Sequence, residues 1–430
     1  MTSEPNRKIK LSMNITLETI AIIAATVLFG AAAQINFLGS AFAQGQQQEQ
    51  QQQTFNDHVF VANELSNTIS VINPKNNTLE DTIDLTGFDN RKPFSFNAST
   101  PLAAMHLTPL YNGAIDTHGM NSSPDGKLIA VTARGSSNIY LINTTTLKKT
   151  GSDNGIFVGR EPHVPTFTLD GKSIWTTVRG SNYIAVTDVN DAIKNNQTFY
   201  NEAISTVNAP SMIWFSKDGR LAFVGSQKES VMDVIDTTSK KSIAVINLTK
   251  ADPIGFTPFV KVTPDGREVW LVHKSADAIT AISTQQPFNI ISTIKLEKGS
   301  RPNHVEFAGG REDNGGGRGG YAYVTLAAAD PKTNTSKVMI IDTTNKSIIG
   351  SSDSHGKEAH GIWANPNGTR IYVGHEQTPV LAVFDINGPN AINPKSVADI
   401  ALGGVNMPNG QFLPSKKSID VVYDHVIIGK

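Results

Sequence analysis

A unit of about 45 residues recurs along the 430-residue chain, and no other feature of the sequence limits the fold so tightly. Each copy is a short apolar run, a Pro-Asp-Gly turn or a relative of it, and a second apolar run. Clear copies begin at His118 (HGMNSSPDGKLIAVTARG), His163 (HVPTFTLDGKSIWTTVRG), Ser211, Pro258 and His360 (HGIWANPNGTRIYVGHE). A degenerate copy opens at His304 (HVEFAGG) and is interrupted by the glycine-rich GGREDNGGGRGG. A partial copy, PNGQFLPSKKSIDVVYD, begins near Pro408. Every unit runs on into an alternating segment that stops at a turn former, at Asn73, Asn143, Asp188, Asp236, Ser283, Asp342 and Asp385.

Period-two runs of Val, Ile, Tyr and Thr punctuated by Asp-Gly or Asn-Gly turns are strands joined by hairpins. Repeats of this length with four such strands fit the blades of a β-propeller. Seven unit starts and seven alternating-run ends predict an all-β, seven-bladed propeller of four-stranded blades over residues 56–430. The terminal units are incomplete, which predicts that the two ends of the chain share one blade and leave no free sheet edge. The expected first strand of that blade lies near Gly410–Pro414. His58–Glu64 and Ser418–Asp424 both read as its second strand, and the sequence does not choose between them.

The pattern resembles the YVTN family of β-propeller repeats over roughly residues 58–424, best in NELSNTISVINPKNNTLEDTIDL (Asn63–Leu85) and in His360–Glu376. The resemblance implies the propeller fold. It leaves function open, because such repeats occur in surface proteins, in relatives of lactonases and in cofactor-carrying redox propellers.

Composition removes several classes. With 37 basic against 38 acidic residues and no basic tract, the chain lacks a nucleic-acid footprint. With no cysteine it has no disulfide, iron–sulfur cluster, thiolate-bound zinc or blue copper, and no thioether-attached haem. Arg7, Lys8 and Lys10 precede an apolar stretch densest over Ile20–Ala33, and Ala41–Ala43 (AFA) offers a signal-peptidase site before Gln44. Residues 1–43 are therefore expected to be a signal peptide, with a retained membrane anchor as the alternative. Residues 44–55 form a glutamine-rich linker. Secretion or display outside the membrane follows, and nine Asn-x-Ser/Thr sites, beginning at Asn76, Asn97 and Asn121, agree with it.

The histidines carry the functional signal. His118, His163 and His360 stand eight residues before the turn glycine, at the start of the innermost strand, and HVEFA aligns His304 with them. The other units place Ser211, Pro258 and about Pro408 there. Seven residues after the turn glycine, where the second strand returns to the same rim, stand His273 and His375. Met120, Met212 and Met407 lie close by in sequence, and Arg134, Arg179, Arg160 and Arg301 cluster at that rim, with His106 and His355 as further candidates.

Two readings follow. In one, the six histidines hold a metal at the channel mouth, copper first among imidazole-binding ions, or a haem-like ligand with Arg134, Arg179 and Arg301 as contacts. Nitrous oxide reductase and the haem-binding propeller of cytochrome-type nitrite reductases resemble this arrangement. In the other, the histidines are inherited repeat residues on a cell-surface interaction propeller. A lactonase-like hydrolase is a third possibility. The Asp-Gly turns at Asp125, Asp170, Asp218 and Asp265 are turn formers, Trp175 and Trp270 are expected between blades, and the long segment from Thr86 to Thr117 is expected to act as a lid.

Overall fold

The computed structural model describes residues 57–85, 115–309, 320–406, 412–415 and 417–424. The expected signal segment, the glutamine tract, His106, Met407, most of the expected lid and the centre of the glycine-rich insertion lie outside these residues.

Seven four-stranded antiparallel blades form a propeller. Blade one begins with Thr117–Ser122, and the innermost strands of the next five are Pro162–Phe167, Pro210–Phe215, Phe259–Val262, Pro302–Ala308 and Ala359–Ala364. These strands touch in sequence, and Ser418–Tyr423 touches both Ala359–Ala364 and Thr117–Ser122, so the ring closes. In blade one the outer strand Lys148–Thr150 is short, and Ile156–Phe157 extends that edge by pairing with the third strand.

The closing blade corrects the expected order. Ser418–Tyr423 is its innermost strand and Val59–Asn63 its second, followed by Thr68–Asn73 and Thr78–Asp84. Phe412–Pro414 instead pairs with Gly404–Asn406 in a separate three-residue hairpin, too short to fill the slot. The two apolar runs share one pattern, and only their neighbours tell them apart. The chain ends are tied by two bonds of 3.1 Å, from the His58 amide to Asp424 Oδ2 and from the Asp424 amide to the His58 carbonyl.

Turn chemistry fixes each blade's register. Asp125, Asp170, Asp218 and Asp265 each accept from the hydroxyl two residues before and the amide two residues after, at 2.6–3.2 Å. The glycine that follows takes φ of 69–77°, where a β-carbon is penalised. Between blades the tryptophans pack as expected. Trp175 meets Phe215 and Trp270 meets Phe307, each with ring centroids 5.3 Å apart.

Midway down the channel, Lys261 of blade four and Glu306 of blade five form a bidentate ion pair of 2.8 and 2.9 Å, both side chains buried. Trp363 and Trp214 cover the ammonium, their ring centroids 4.1 and 4.7 Å from Nζ. A pair so far from water holds its place because each charge offsets the other's desolvation. Glu306→Gln is expected to cost about 3 kcal/mol by leaving the Lys261 ammonium uncompensated, whereas Lys261→Met with Glu306→Met is expected to cost less, its remaining loss coming from the Phe307 and Ala364 amides that donate to Glu306. Denaturant unfolding of the single and double variants measures both.

Candidate functional site

Each histidine-bearing strand starts with a β-bulge. His118 and Gly119 together oppose Thr132, His163 and Val164 oppose Thr177, and His360 and Gly361 oppose Gly374. A bulge places two residues against one and re-aims their side chains. In blade five the bulge pair is Asn303 and His304, opposite Thr325. Asn303, not His304, thus occupies the register of His118, His163 and His360, and His304 is the second bulge residue. The insertion after Ala308 removed the turn glycine that would have fixed this count.

The structure brings the four rings together. They form an arc in the order His163, His118, His360, His304, with adjacent centroids 4.6, 6.5 and 4.6 Å apart, and Phe259 stacks on His304 at 4.1 Å. The four line a cavity of about 200 Å³ together with Pro258, Asn303 and Ile419. Ile419 takes the closing blade's position, where Pro408 was expected.

Above this floor stands a crown. Glu64, Arg134, Arg179, Gln227, Lys274 and Glu376 line the cavity, and each directly follows the last residue of its blade's second strand. His273 and His375 sit one residue earlier. Strand alternation turns them away from the cavity into the blades. His273 is bonded to Thr257 and Thr280 hydroxyls at 2.8 and 2.9 Å, and His375 to the Val380 carbonyl and Ser354 hydroxyl at 3.1 and 3.2 Å. Arg301 is half exposed beside Glu358 and, like Arg160, does not line the cavity. His355 pairs with Asp399 on an outer strand. Met120 and Met212 are buried and do not line the cavity either. Counting eight rather than seven residues past the turn glycine was the sequence signal for the crown.

Hydrogen bonds set the ring tautomers. The Nδ1 atoms of His163 and His360 donate to the carbonyls of Ser211 and Ile419 at 2.7 and 2.6 Å, which leaves each Nε2 as an acceptor. Arg134 Nη1 lies 3.3 Å from His118 Nδ1, and a guanidinium only donates, so that nitrogen accepts. His304 Nδ1 is buried without a partner. Burial holds all four well below the usual histidine pKa, with neighbouring cations and imidazoles adding to it, and His360 falls to about 3. The floor is neutral while the crown is charged. Arg134 bonds Glu64 at 3.1 Å, and Arg179 bonds Glu161 at 3.0 Å. Burial also pushes Asp116, beside Arg134 and Glu64, up to about 8.

Among the described residues, no three His, Asp or Glu side chains gather with the spacing a metal ion requires. The cavity, open on one side, has a volume of about 200 Å³, on the scale of a small molecule. The residues present suit a small polar molecule.

The protonation state is testable. A histidine with lowered folded pKa binds fewer protons than its unfolded counterpart, so its contribution to stability is lost as pH falls from 6.5 towards 3. Wild type is therefore expected to lose stability relative to His360→Asn by about 1.4 kcal/mol per pH unit over that window. Urea unfolding of both proteins at pH 7, 6, 5 and 4 measures the difference.

No family model matches the chain, and no curated protein matches it in sequence. Solved structures do share its fold. Hydrazine synthase of Kuenenia stuttgartiensis aligns with a TM-score of 0.57 at 17% identity, over 73% of this chain and 96% of that one. The periplasmic gluconolactonase of Pseudomonas aeruginosa aligns with a TM-score of 0.58 at 11% identity, over 85% and 98%. The dihydro-heme d1 dehydrogenase NirN, in complex with DHE, aligns with a TM-score of 0.52 at 14% identity, over 86% and 76%. At these identities the likeness is one of fold, and the chain is a seven-bladed β-propeller.

Proposed function

We propose that this is an exported binding propeller of YVTN type that holds a small polar ligand at its histidine-floored channel mouth. One observation carries the reading: four neutral imidazoles, three with tautomers consistent with fixed hydrogen bonds, converge in one cavity beneath a charged crown. A concave site with a few fixed polar groups is what ligand recognition requires. A purely structural propeller has no need to bury four imidazoles against one another and against arginine.

A thermal-shift screen of small polar metabolites against wild type and the His118→Ala, His360→Ala double variant tests the reading. Compounds that raise the wild-type midpoint by a few degrees and leave the variant unmoved are expected. Equal shifts in both proteins, or none in either, return the histidines to inherited repeat residues. Equal, weak copper uptake by both is expected in the same experiment. Export predicts a mature chain starting at Gln44, and intact mass of the protein recovered outside the membrane checks it. A mass that still includes Ile20–Ala33 means an anchored protein.

A further inference from the structure

We propose that the arc of the mouth between blades four and six is a subsite for a small amino-carboxylate zwitterion, its carboxylate on Lys274 and its ammonium between His360 and Glu376. The inference rests on the binding reading above and names the ligand class.

The crown is incomplete at one place. Six blades project a long polar side chain from the residue after the second strand, but blade five has Ala327, which is buried and does not line the cavity. The gap lies over Asn303 and His304, with Lys274 on one flank and Glu376 on the other.

Both flanks lack a partner of the right kind. Arg134 and Arg179 are held by Glu64 and Glu161, whereas the Lys274 ammonium lines the cavity without a hydrogen bond or ion pair to any described residue. Burial lowers its pKa, and Glu376, on the far side of the gap, only partly opposes this. A half-buried cation in this position calls for an anion. On the other flank, the His360 Nδ1–H donates to the Ile419 carbonyl, so Nε2 presents a lone pair, and Glu376 Oε1 stands 3.6 Å from it. Two acceptors face each other with no donor between them. Burial and the nearby Glu358 carboxylate raise the Glu376 pKa, and Lys274, Lys417 and Arg301 only partly offset them, none of the three ion-paired with the Glu376 carboxylate.

One small molecule satisfies both flanks. An ammonium has three protons, enough to donate to His360 Nε2 and Glu376 together, and its charge compensates the carboxylate. A hydroxyl has only one proton to give and no charge. A carboxylate on the same molecule answers Lys274. The cavity of about 200 Å³ sets the size, at roughly six to ten non-hydrogen atoms by comparison with benzene in about 150 Å³. Neutral His304, stacked on Phe259, offers an uncharged wall for the rest of the ligand.

The probes are the common amino acids, titrated calorimetrically into the mature protein, and then the best binder's deaminated acid, hydroxy acid and primary amide. At least one amino acid is expected to bind, and each analogue about tenfold or more weaker, the usual effect of deleting one charge-assisted hydrogen bond. Lys274→Met is expected to erase discrimination between the acid and its amide. Glu376→Gln is expected to erase discrimination between the amine and its deaminated analogue. Both side chains sit at the solvent-facing mouth, and thermal melts confirm that the variants fold. Failure of every amino acid to bind overturns the inference, as does a hydroxy acid that binds as tightly or a Lys274→Met protein with unchanged selectivity. Metabolites that bind wild type but not the His118→Ala, His360→Ala variant, with amino acids excluded, sink this inference alone. Amino acids that bind equally to that double variant sink the mouth-binding reading as well.

Discussion

Three threonine hydroxyls hold the mouth of this propeller in shape. A bulge leaves the amide of its second residue without a ladder partner, and a buried amide left unbonded is costly. Thr132, Thr177 and Thr325 accept from those amides, of Gly119, Val164 and His304, at 2.8–3.2 Å. Each then donates to the next blade, to the carbonyls of His163, Ser211 and His360, at 2.6–2.9 Å. One hydroxyl thereby stabilises a bulge and sets the distance to the neighbouring blade. Close approach follows, and it dictates sequence. A β-carbon on Gly119 would lie 2.2 Å from the His163 carbonyl, and one on Gly361 would lie 2.8 Å from that of Ile419. Convergence of the imidazoles is a consequence of this spacing.

The electrostatics of the mouth depend on the same geometry. Four imidazoles packed this closely away from water cannot carry charge, because desolvation and mutual repulsion both favour the neutral form. Neutral histidine can donate at one nitrogen and accept at the other, and the backbone carbonyls at Ser211 and Ile419 decide which. The floor therefore offers directed lone pairs in a fixed arrangement, while net charge is confined to the crown. Further along the same strands the Lys261–Glu306 pair lies buried against its two tryptophans, so charge below the floor is compensated within the protein.

Much of this was legible in the sequence because repeats multiply weak signals. Blade number and strand order within blades followed from a turn glycine repeated at even spacing, and His118, His163 and His360 were found by counting back from it. The failures share one cause, that register has a period of two and an error of one residue reverses a side chain. His273 and His375 attracted notice as histidines and Arg134 and Arg179 as arginines, but Gln227, Lys274 and Glu376, which share the register of the two arginines one position on from the histidines, went unnoticed and also line the cavity. At Asn303 and His304 a bulge added the extra residue, and bulges leave no mark in apolar periodicity. The closing blade was misordered because Val59–Asn63 and Ser418–Tyr423 have the same pattern, and only pairing between the chain's two ends separates them.

A repeated fold begins with sevenfold equivalence, and equivalence alone gives no binding site for an asymmetric molecule. Specificity has to come from positions where the copies differ while the backbone stays the same. At the floor those differences are Ser211, Pro258, Asn303 and Ile419 in place of histidine, with His304 supplied from the next position, which turn a ring into an arc. At the crown they are the signs of the charges and the alanine of blade five. Because the threonine hydroxyls and bulges keep the spacing constant, each of these exchanges alters chemistry without moving its neighbours. The scaffold is rigid where the repeat is strict, and the site lies where the repeat departs from itself.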